Sequence, residues 1–364
     1  MKRVVILCVW LFSVVAGHAQ LSLDECRRLA RENYPEIRQY DLVHQTEQYN
    51  LSNAARAWIP QLAFSAQATW QTDAPNFPKE LTGMLAQQGL EIPGLRKDQY
   101  KVALELNQTI WDGGKSVADK RIARAEAAEQ KTMTDVDLYE LEGRVDDLYF
   151  GILLLDERIA QTNLTLNLLR SNLEKVRALQ RNGVAMQSDA DVLEAELLSV
   201  GQQLIQFESS CDSYRRMLGI FIGQKVGDRK LLRPSAVQPL SGESARPELA
   251  MFAAKIDRLM AQEKMVKSSS MPRLGFFAQG YYGYPGLDYM QSMMNSDWSW
   301  NAMLGVKLSW NFGAYYTQKN NLNKLRTSRQ QVEVQRDVFL FNMNLQAAQE
   351  NGDIARLRKA IADD

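Results

Sequence analysis

Residues 298–312 alternate between two kinds of side chain, and this alternation constrains the fold more than any other feature of the chain. One side carries only apolar residues: Trp298, Trp300, Ala302, Leu304, Val306, Leu308, Trp310 and Phe312. The other side is mostly small or polar, as at Ser299, Gly305 and Asn311. A repeat of two residues predicts a β-strand with two different faces. Strands of about ten residues with aromatic ends are typical of transmembrane barrels, and a half-buried sheet of a soluble protein is the alternative.

Three other segments alternate in the same way, at 61–71, 100–110 and 273–284. The first and third follow Pro60 and Pro272, because proline ends a helix and opens an extended segment without supplying a backbone donor. Four strands are too few to close a barrel, since closure takes about eight and lipid does not tolerate open sheet edges. The pattern therefore predicts that the chain assembles, and three chains of four strands would give twelve, an even number suited to a channel. We expect four side chains to face lipid: Trp70, Trp298, Trp300 and Trp310.

A single offset of 212 residues relates matching positions in the two halves of the chain. The pairs are Pro35 with Pro247, Glu36 with Glu248, and Pro60 with Pro272. Each half reads helix, proline, strand, loop, strand and helix. Because one offset serves all the pairs, we interpret the two halves as a duplication.

A long helix is predicted after the first strand pair, because residues 115–182 contain no proline and apolar residues recur there in steps of three and four. The seam consists of Leu138, Leu141, Val145, Leu148, Ile152, Leu155, Ile159, Thr162, Leu166, Leu169, Leu173 and Val176. A seam of more than five heptads predicts coiled-coil packing. A second seam follows the turn: Leu193, Leu197, Val200, Leu204, Phe207, Cys211, Tyr214 and Leu218. The two seams together predict an antiparallel helical hairpin.

The tip of this hairpin falls at 182–189. Gly183 suits the left-handed position after a helix, and Ser188 or Asp189 suits the cap of the next helix. Such a tip is either a plain turn or a docking site.

The composition excludes several classes of function. Residues 1–19 have the basic start, apolar core and small cleavage-site residues of a signal peptide. The chain after them retains two cysteines, Cys26 and Cys211, and one histidine, His44, so we expect no enzyme activity, no cofactor and no metal site. Spacing does not decide whether the cysteines pair. The net charge is zero, and there is no basic stripe to indicate nucleic acid.

The predicted organisation follows from these patterns. Residues 20–59 form N-terminal helices, and 60–112 form the first barrel strand pair with an external loop. The remaining segments are the long hairpin at 113–224, a linker at 225–246, the second-repeat helix at 247–271, the second strand pair at 272–313 and the start of a second hairpin at 314–364. The expected fold is thus a mixed α+β membrane protein of helical coiled-coil hairpins and four strands.

The sequence resembles the TolC-like outer-membrane efflux proteins. The resemblance rests on the segments "LSLDECRRLARENYPEI", "WIPQLAFSAQ", "QTIWDGGKS", "NGVAMQSDADVLEAELL" and the repeat "RPELA…MPRLGFF". It implies a homotrimer with a twelve-stranded barrel in the cell outer membrane and a helical tunnel in the periplasm. Members of this family are passive exit ducts that join a periplasmic adaptor protein and an inner-membrane transporter in efflux or type I export.

The resemblance also implies where the adaptor docks. The family's docking stretch at the hairpin tip has a glycine, a short apolar residue and, six positions after the glycine, an aspartate. These map to Gly183, Val184 and Asp189, with Ala185 beside them, and a second acid, Asp191, competes for the role of Asp189.

The second hairpin departs from the family pattern, because the chain ends at Asp364 before a return helix. We expect this chain to be truncated or reduced there, and not to form a fully gated channel alone. The alternative function is a periplasmic coiled-coil adaptor or scaffold that never enters lipid.

Overall fold

The computed structural model describes residues 20–90, 92–234 and 246–363. The predicted signal peptide, residues 1–19, lies outside the described residues, as does the part of the predicted linker at 235–245.

Eight helices and four strands follow one another in the described part of the chain. The helices are α1 (Leu23–Asn33), α2 (Gln39–Arg56), α3 (Lys79–Gln87), α4 (Lys115–Arg181), α5 (Gln187–Ile222), α6 (Pro247–Ser268), α7 (Tyr289–Met294) and α8 (Ala314–Asp363). A short 3-10 helix, Pro35–Arg38, precedes α2. The strands are β1 (Gln61–Trp70), β2 (Asp98–Trp111), β3 (Arg273–Tyr284) and β4 (Ser299–Ser309). Of the described helices, none combines the length and the apolar character needed to cross a membrane.

The four strands form one antiparallel sheet in the order β1-β2-β3-β4, which confirms the predicted number and alternation of strands. Strands β1 and β3 begin directly after Pro60 and Pro272. The strand prediction was too long for β4, which ends at Ser309 because the backbone turns at 310–313 towards α8.

Strand β2 contains a bulge near its end, which changes the residue that lies on the apolar face there from the one predicted. The register shifts between Thr109 and Trp111, so that Trp111 lies opposite Leu274. The alternation placed Ile110 on the apolar face, and the bulge gives this position to Trp111 instead.

The two loops at the far end of the sheet contain helices that the sequence analysis did not predict. Helix α3 lies between β1 and β2, and α7 lies between β3 and β4. Both helices are short, with nine and six residues, and the prolines and glycines around them interrupt the helical spacing of apolar residues that would have indicated them.

The chain divides into two compact units. The first contains the described residues up to Asp41 and those of Lys131–Glu248, and the second contains Leu42–Gln130 and Leu249–Asp364.

The core of the first unit joins α1, the later part of α4 and α5. It consists of Leu21, Cys26, Ala30, Val145, Leu148, Tyr149, Ile152, Cys211, Leu218, Ile222, Val226 and Leu231. The hydroxyl oxygen of Tyr149 lies 2.7 Å from the carbonyl oxygen of Leu21 and 2.6 Å from that of Leu232, and it can donate to either. Cys26 and Cys211 are both buried and unpaired in this core.

The predicted heptad seam of α4 is buried or half-buried at every position. The return seam on α5 agrees except at Tyr214, which is 38% exposed. The ring of this tyrosine lies against Gly151, where a Cβ atom would come within 2.6 Å of a ring carbon. Tyr214 therefore covers the glycine from the outside of the seam.

The second unit holds the sheet together with parts of α2, α4 and α6 and all of α8. Arg258 of α6 pairs with Glu129 of α4, and Arg329 of α8 lies 3.8 Å from Glu263 of α6. Helix α8 has no buried residue among those described, although it is 50 residues long.

Candidate functional site

One face of the sheet is apolar across its middle, with Gln108 beside Phe276 at its helix end and Asp98 beside Trp70 at its loop end. Neighbouring strands place their apolar residues in cross-strand rows. The rows are Leu62, Leu106, Ala278 and Leu304; Phe64, Leu104, Gly280 and Ala302; and Ala66, Val102, Tyr282 and Trp300. None of these side chains is charged, and several are largely exposed, as are Phe64 (72%) and Leu304 (75%). A soluble sheet would cover such a face, so this face requires an apolar surrounding.

Aromatic side chains border the apolar face at its loop end. The ring of Trp298 lies 5.7 Å from that of Tyr100 and 5.3 Å from that of Tyr282. Trp300 lies 5.0 Å from Tyr282 and is 82% exposed. Trp70 ends β1 at the same end and is also largely exposed. Aromatic rings at the rim of an apolar band are the pattern of a membrane-water interface.

The helix end of the apolar face has a second aromatic border. Trp310 packs against Phe312 with ring centroids 4.7 Å apart. Its indole nitrogen donates a hydrogen bond of 3.0 Å to the carbonyl oxygen of Ser270. Since β4 spans Ser299–Ser309, Trp298 and Trp310 flank the strand rather than belong to it, which corrects their predicted position.

The opposite face of the sheet is polar in its middle. Lys101 donates a hydrogen bond of 3.0 Å to the side-chain oxygen of Gln279, whose amide donates to Glu105. The amine of Lys101 also lies 4.7 Å from the ring centroid of Tyr281. The alternation along each strand places these residues on the polar face, but it does not reveal the network, because the register that brings β2 beside β3 is a tertiary feature.

Both outer strands of the sheet leave one edge without a partner. Among the described residues, β1 pairs only with β2 and β4 pairs only with β3. An unpaired strand edge presents a row of backbone donors and acceptors that can pair with another strand.

The loop between β1 and β2 and the loop between β3 and β4 are hydrogen-bonded to each other and to the end of β3. Tyr284 is 2% exposed. Its hydroxyl accepts a hydrogen bond from the backbone nitrogen of Arg96 at 3.0 Å and donates to the carbonyl oxygen of Ser292 at 3.1 Å. The backbone nitrogen of Gly94 donates to Met293. The sequence predicts only an external loop for the first strand pair, and the tyrosine-rich end of β3 is the feature of the sequence that points to this contact.

The passage from β2 into α4 is shaped by Asp112. Its carboxylate accepts hydrogen bonds from the backbone nitrogens of Gly114 (2.9 Å) and Ser116 (2.7 Å) and from the Ser116 hydroxyl. Burial alone would raise the pKa of Asp112, but these hydrogen bonds outweigh it and lower the pKa below its ordinary value. The residue thus caps the long helix.

The hairpin tip is closed by a Schellman motif at the end of α4. The backbone nitrogen of Val184 donates to the carbonyl oxygen of Leu179 at 3.0 Å, and that of Gly183 donates to Gln180 at 2.9 Å. Gly183 has φ of +72°, the left-handed conformation that its position predicts.

The start of α5 differs from the prediction at its first residue. The cap is Met186, and Asp189 reaches back to accept a hydrogen bond of 3.0 Å from the Met186 backbone nitrogen. Asp191 instead accepts from the side-chain amide of Gln187 at 2.7 Å.

The surface of the tip is apolar at its end. Val184 and Met186 are 73% and 74% exposed, Ala185 is half-buried between them, and Ala190 is buried below. The exposed apolar side chains of the tip are those of Val184 and Met186.

No group of three or more His, Cys, Asp or Glu side chains in the described ranges could hold a metal ion.

Long helices joined to one four-stranded antiparallel sheet define the fold of outer-membrane efflux channels. The sequence profile of the family described as "Outer membrane efflux protein" matches residues 27–223, and the chain belongs to this family. Its members are passive channels. A search of the curated proteins found no match.

Solved structures of such channels have a similar fold. The outer membrane protein VceC of Vibrio cholerae has 15% sequence identity and a TM-score of 0.61, over 88% of this chain and 75% of that chain. The outer-membrane channel OprN has 13% identity and a TM-score of 0.63, over 87% and 71%. The Campylobacter jejuni channel CmeC has 14% identity and a TM-score of 0.60, over 88% and 68%.

Proposed function

We propose that this protein is the outer-membrane channel component of a tripartite efflux or type I export system. In this proposal it is a passive exit duct, three chains share a twelve-stranded barrel in the outer membrane, and the helices of the first unit lie in the periplasm. The residue ranges predicted above for the strand pairs, the hairpin and the second-repeat helix are part of the same proposal.

The observation that carries the proposal is the sheet with an exposed apolar face and two unpaired edges. Lipid accommodates the face, because its middle rows carry no charge and aromatic rings border it at both ends. Lipid does not accommodate the edges, because unpaired backbone groups have no water to bond there. Pairing β4 of one copy with β1 of the next removes both edges, and a closed ring of symmetric copies results.

The proposed number of copies follows from the number of strands. Two chains would supply eight strands, which leave an interior just wide enough to be filled by side chains, whereas three supply twelve and leave room for a channel. The four predicted tryptophans, Trp70, Trp298, Trp300 and Trp310, then lie in the two interfacial borders.

The proposed docking site for the periplasmic adaptor is the hairpin tip. Gly183 and Asp189 shape the turn, and Val184, Ala185 and Met186 form its apolar end. Asp191 lies two residues after Asp189, and its carboxylate accepts a hydrogen bond from the side-chain amide of Gln187. The inner-membrane transporter is engaged through the adaptor. Family membership argues against the alternative of an adaptor or scaffold that never enters lipid.

Fractionation and gel mobility test the proposal together. The full chain is expressed in a Gram-negative host, the outer membrane is separated from the inner membrane and periplasm, and samples are run on SDS gels with and without heating. We expect an outer-membrane species that migrates as a trimer unheated and as a monomer after heating. A soluble periplasmic monomer would contradict the proposed channel and favour the scaffold alternative.

A further inference from the structure

The polar face of the sheet carries an unbalanced positive charge at its helix end. Arg273 begins β3, and Lys307 lies near the end of β4. The register pairs Arg273 with Ser309 and Lys307 with Gly275, so the two cations are diagonal neighbours on this face. Like charges at this spacing repel each other, which makes their juxtaposition unfavourable for the sheet itself.

Neither cation is neutralised within the described part of the chain. Both side chains are exposed, and among the described residues neither makes a salt bridge or a side-chain hydrogen bond. They line an open groove of about 600 Å³ at the start of α4. Two carboxylates share the groove, but both have other partners: Asp112 caps the helix, and Asp119 pairs with Lys115 at 2.8 Å.

The rest of the polar face adds no net charge to oppose them. Lys101 and Glu105 are joined through Gln279 in the middle of the sheet. The remaining residues of this face in the four strands are uncharged. The charge of the face therefore comes from Arg273 and Lys307.

An aromatic surface lies beside the two cations. Phe277 shares their face, and its ring occupies the space above Gly305, where a Cβ atom would come within 2.9 Å of two ring carbons. The groove thus offers positive charge and an apolar ring side by side, a combination that suits an amphiphilic organic anion.

A shared barrel repeats this arrangement around the lumen. Twelve strands about 4.8 Å apart and tilted by about 40° give a backbone radius of about 12 Å. Extended Arg and Lys side chains would bring their charges to roughly half that distance from the axis. This distance from the axis is shorter than the Debye length of about 8 Å at physiological salt, so salt does not fully screen these charges from an ion at the centre of the opening.

We propose that Arg273 and Lys307 form an anion-selecting ring at the helix end of the lumen, and that the exported solutes are amphiphilic organic anions. The inference rests on the proposed channel. Rings of arginine and lysine select anions in pores because they lower the energy of an entering negative charge.

Selectivity is measured on the purified full chain in planar lipid bilayers, from the reversal potential in a KCl gradient. We expect chloride selectivity at low salt that weakens as the salt rises to about 1 M, where the Debye length falls to about 3 Å. The double variant R273Q/K307Q should shift the reversal potential towards the cation side. The matched control K115Q/D119N removes a paired couple from the same groove, so it should leave the potential unchanged.

The solute class is tested by dye release from proteoliposomes. Carboxyfluorescein, an anionic aromatic, should leave severalfold faster than a rhodamine cation of similar size, and the double variant should bring the two rates together. If the double variant fails to assemble, the single variants R273Q and K307Q should each give a part of the shift.

The outcomes separate the two proposals. A conducting pore that selects potassium, or whose selectivity the double variant leaves unchanged, overturns the anion ring alone. The absence of any conductance from outer-membrane trimers overturns the proposed channel, and the ring with it.

Discussion

The carboxylate of Asp112 accepts a hydrogen bond of 2.7 Å from the backbone nitrogen of Ser116, at the junction where a strand becomes a 67-residue helix. It also accepts from Gly114, so two of the free donors at the start of α4 are satisfied by one side chain. The corresponding junction between β4 and α8 has Asn311 two residues before Gly313, as Asp112 is before Gly114. The cap by Asp112 therefore marks where β2 ends and α4 begins.

Replacing Asp112 tests this cap. We expect Asp112→Ala to destabilise the protein by about 1 kcal/mol, because the donors of the first turn lose their partner. Asp112→Asn should fall between the wild type and Asp112→Ala, because its one amide oxygen can replace only one of the two carboxylate oxygens that accept from Gly114 and Ser116. Thermal unfolding in detergent, followed by circular dichroism, measures both. An alanine variant as stable as the wild type would show that water satisfies these donors.

The pH dependence of the same cap has a defined sign. The pKa of Asp112 is lowered in the folded state, so its contribution is present above the unfolded value of about 3.9 and is lost as the pH falls through the folded pKa. The stability difference between the wild type and Asp112→Asn should therefore be constant from pH 5 to 7 and shrink below about pH 4. A difference that does not change across this range would contradict the assignment.

Tyr149 ties the start of the described chain to the segment after α5. Tyr149→Phe removes the buried hydroxyl that lies between the carbonyl oxygens of Leu21 and Leu232, and we expect a loss of about 1 to 2 kcal/mol. Tyr139→Phe, on the exposed side of the same helix, is the control and should be nearly neutral. Equal unfolding temperatures for the two variants would show that the buried hydroxyl contributes nothing.

Adjacent residues of β4 lie on opposite faces of the sheet, so we expect the same charged substitution to affect assembly very differently at the two positions. Leu304→Asp places a charge on the apolar face and should prevent assembly in the outer membrane, because a charge against lipid is costly, by about 2 to 4 kcal/mol for Arg or Lys at the bilayer midplane and by less for Asp, and the cost is repeated in every chain. Met303→Asp, on the polar face, should still give a heat-dissociable trimer. The unheated gel mobility of both variants in outer-membrane fractions is the measurement. Loss of the trimer in both, or in neither, would contradict the assignment of the faces.

The hairpin tip predicts a variant that exports poorly but assembles normally. Val184→Asp charges the apolar end of the turn and leaves the backbone hydrogen bonds of the tip in place. We expect loss of export in cells with an unchanged trimer, and Val184→Ile as the conservative control should export normally. Dye efflux from cells of the native host provides the measurement. Normal efflux by Val184→Asp would mean that the tip is a plain turn.

The two cysteines should resist labelling in the folded protein. Burial, with a smaller effect of Glu25, raises the pKa of the Cys26 thiol to about 12, and burial also raises the pKa of Cys211. Almost no thiolate is present near pH 8, so a maleimide should react only after unfolding in urea, without any reductant. Labelling that requires prior reduction would show that the two residues form a disulfide.

The strands and the seam could be predicted from the sequence because each depends on a local period. The alternation identifies the apolar face from Leu62 to Leu308, and the 3-4 spacing identifies the buried side of α4. The role of Gly183 could be predicted as well, because a helix that ends in this way has a residue in the left-handed conformation just after it, and glycine suits that position. The cap at Met186 was not, because its own side chain makes no capping bond and the carboxylate of Asp189 acts from three residues away.

The residue pattern thus predicts the kind of surface that each element presents: one apolar face per strand, one seam per long helix and a tight apolar tip. Which of these surfaces meet depends on contacts between distant segments. Lys101 and Gln279 are 178 residues apart, and Arg273 and Lys307 become neighbours only through the register of β3 with β4. A period records the environment of one segment, whereas register depends on pairing between segments, and a one-residue slip would exchange their faces.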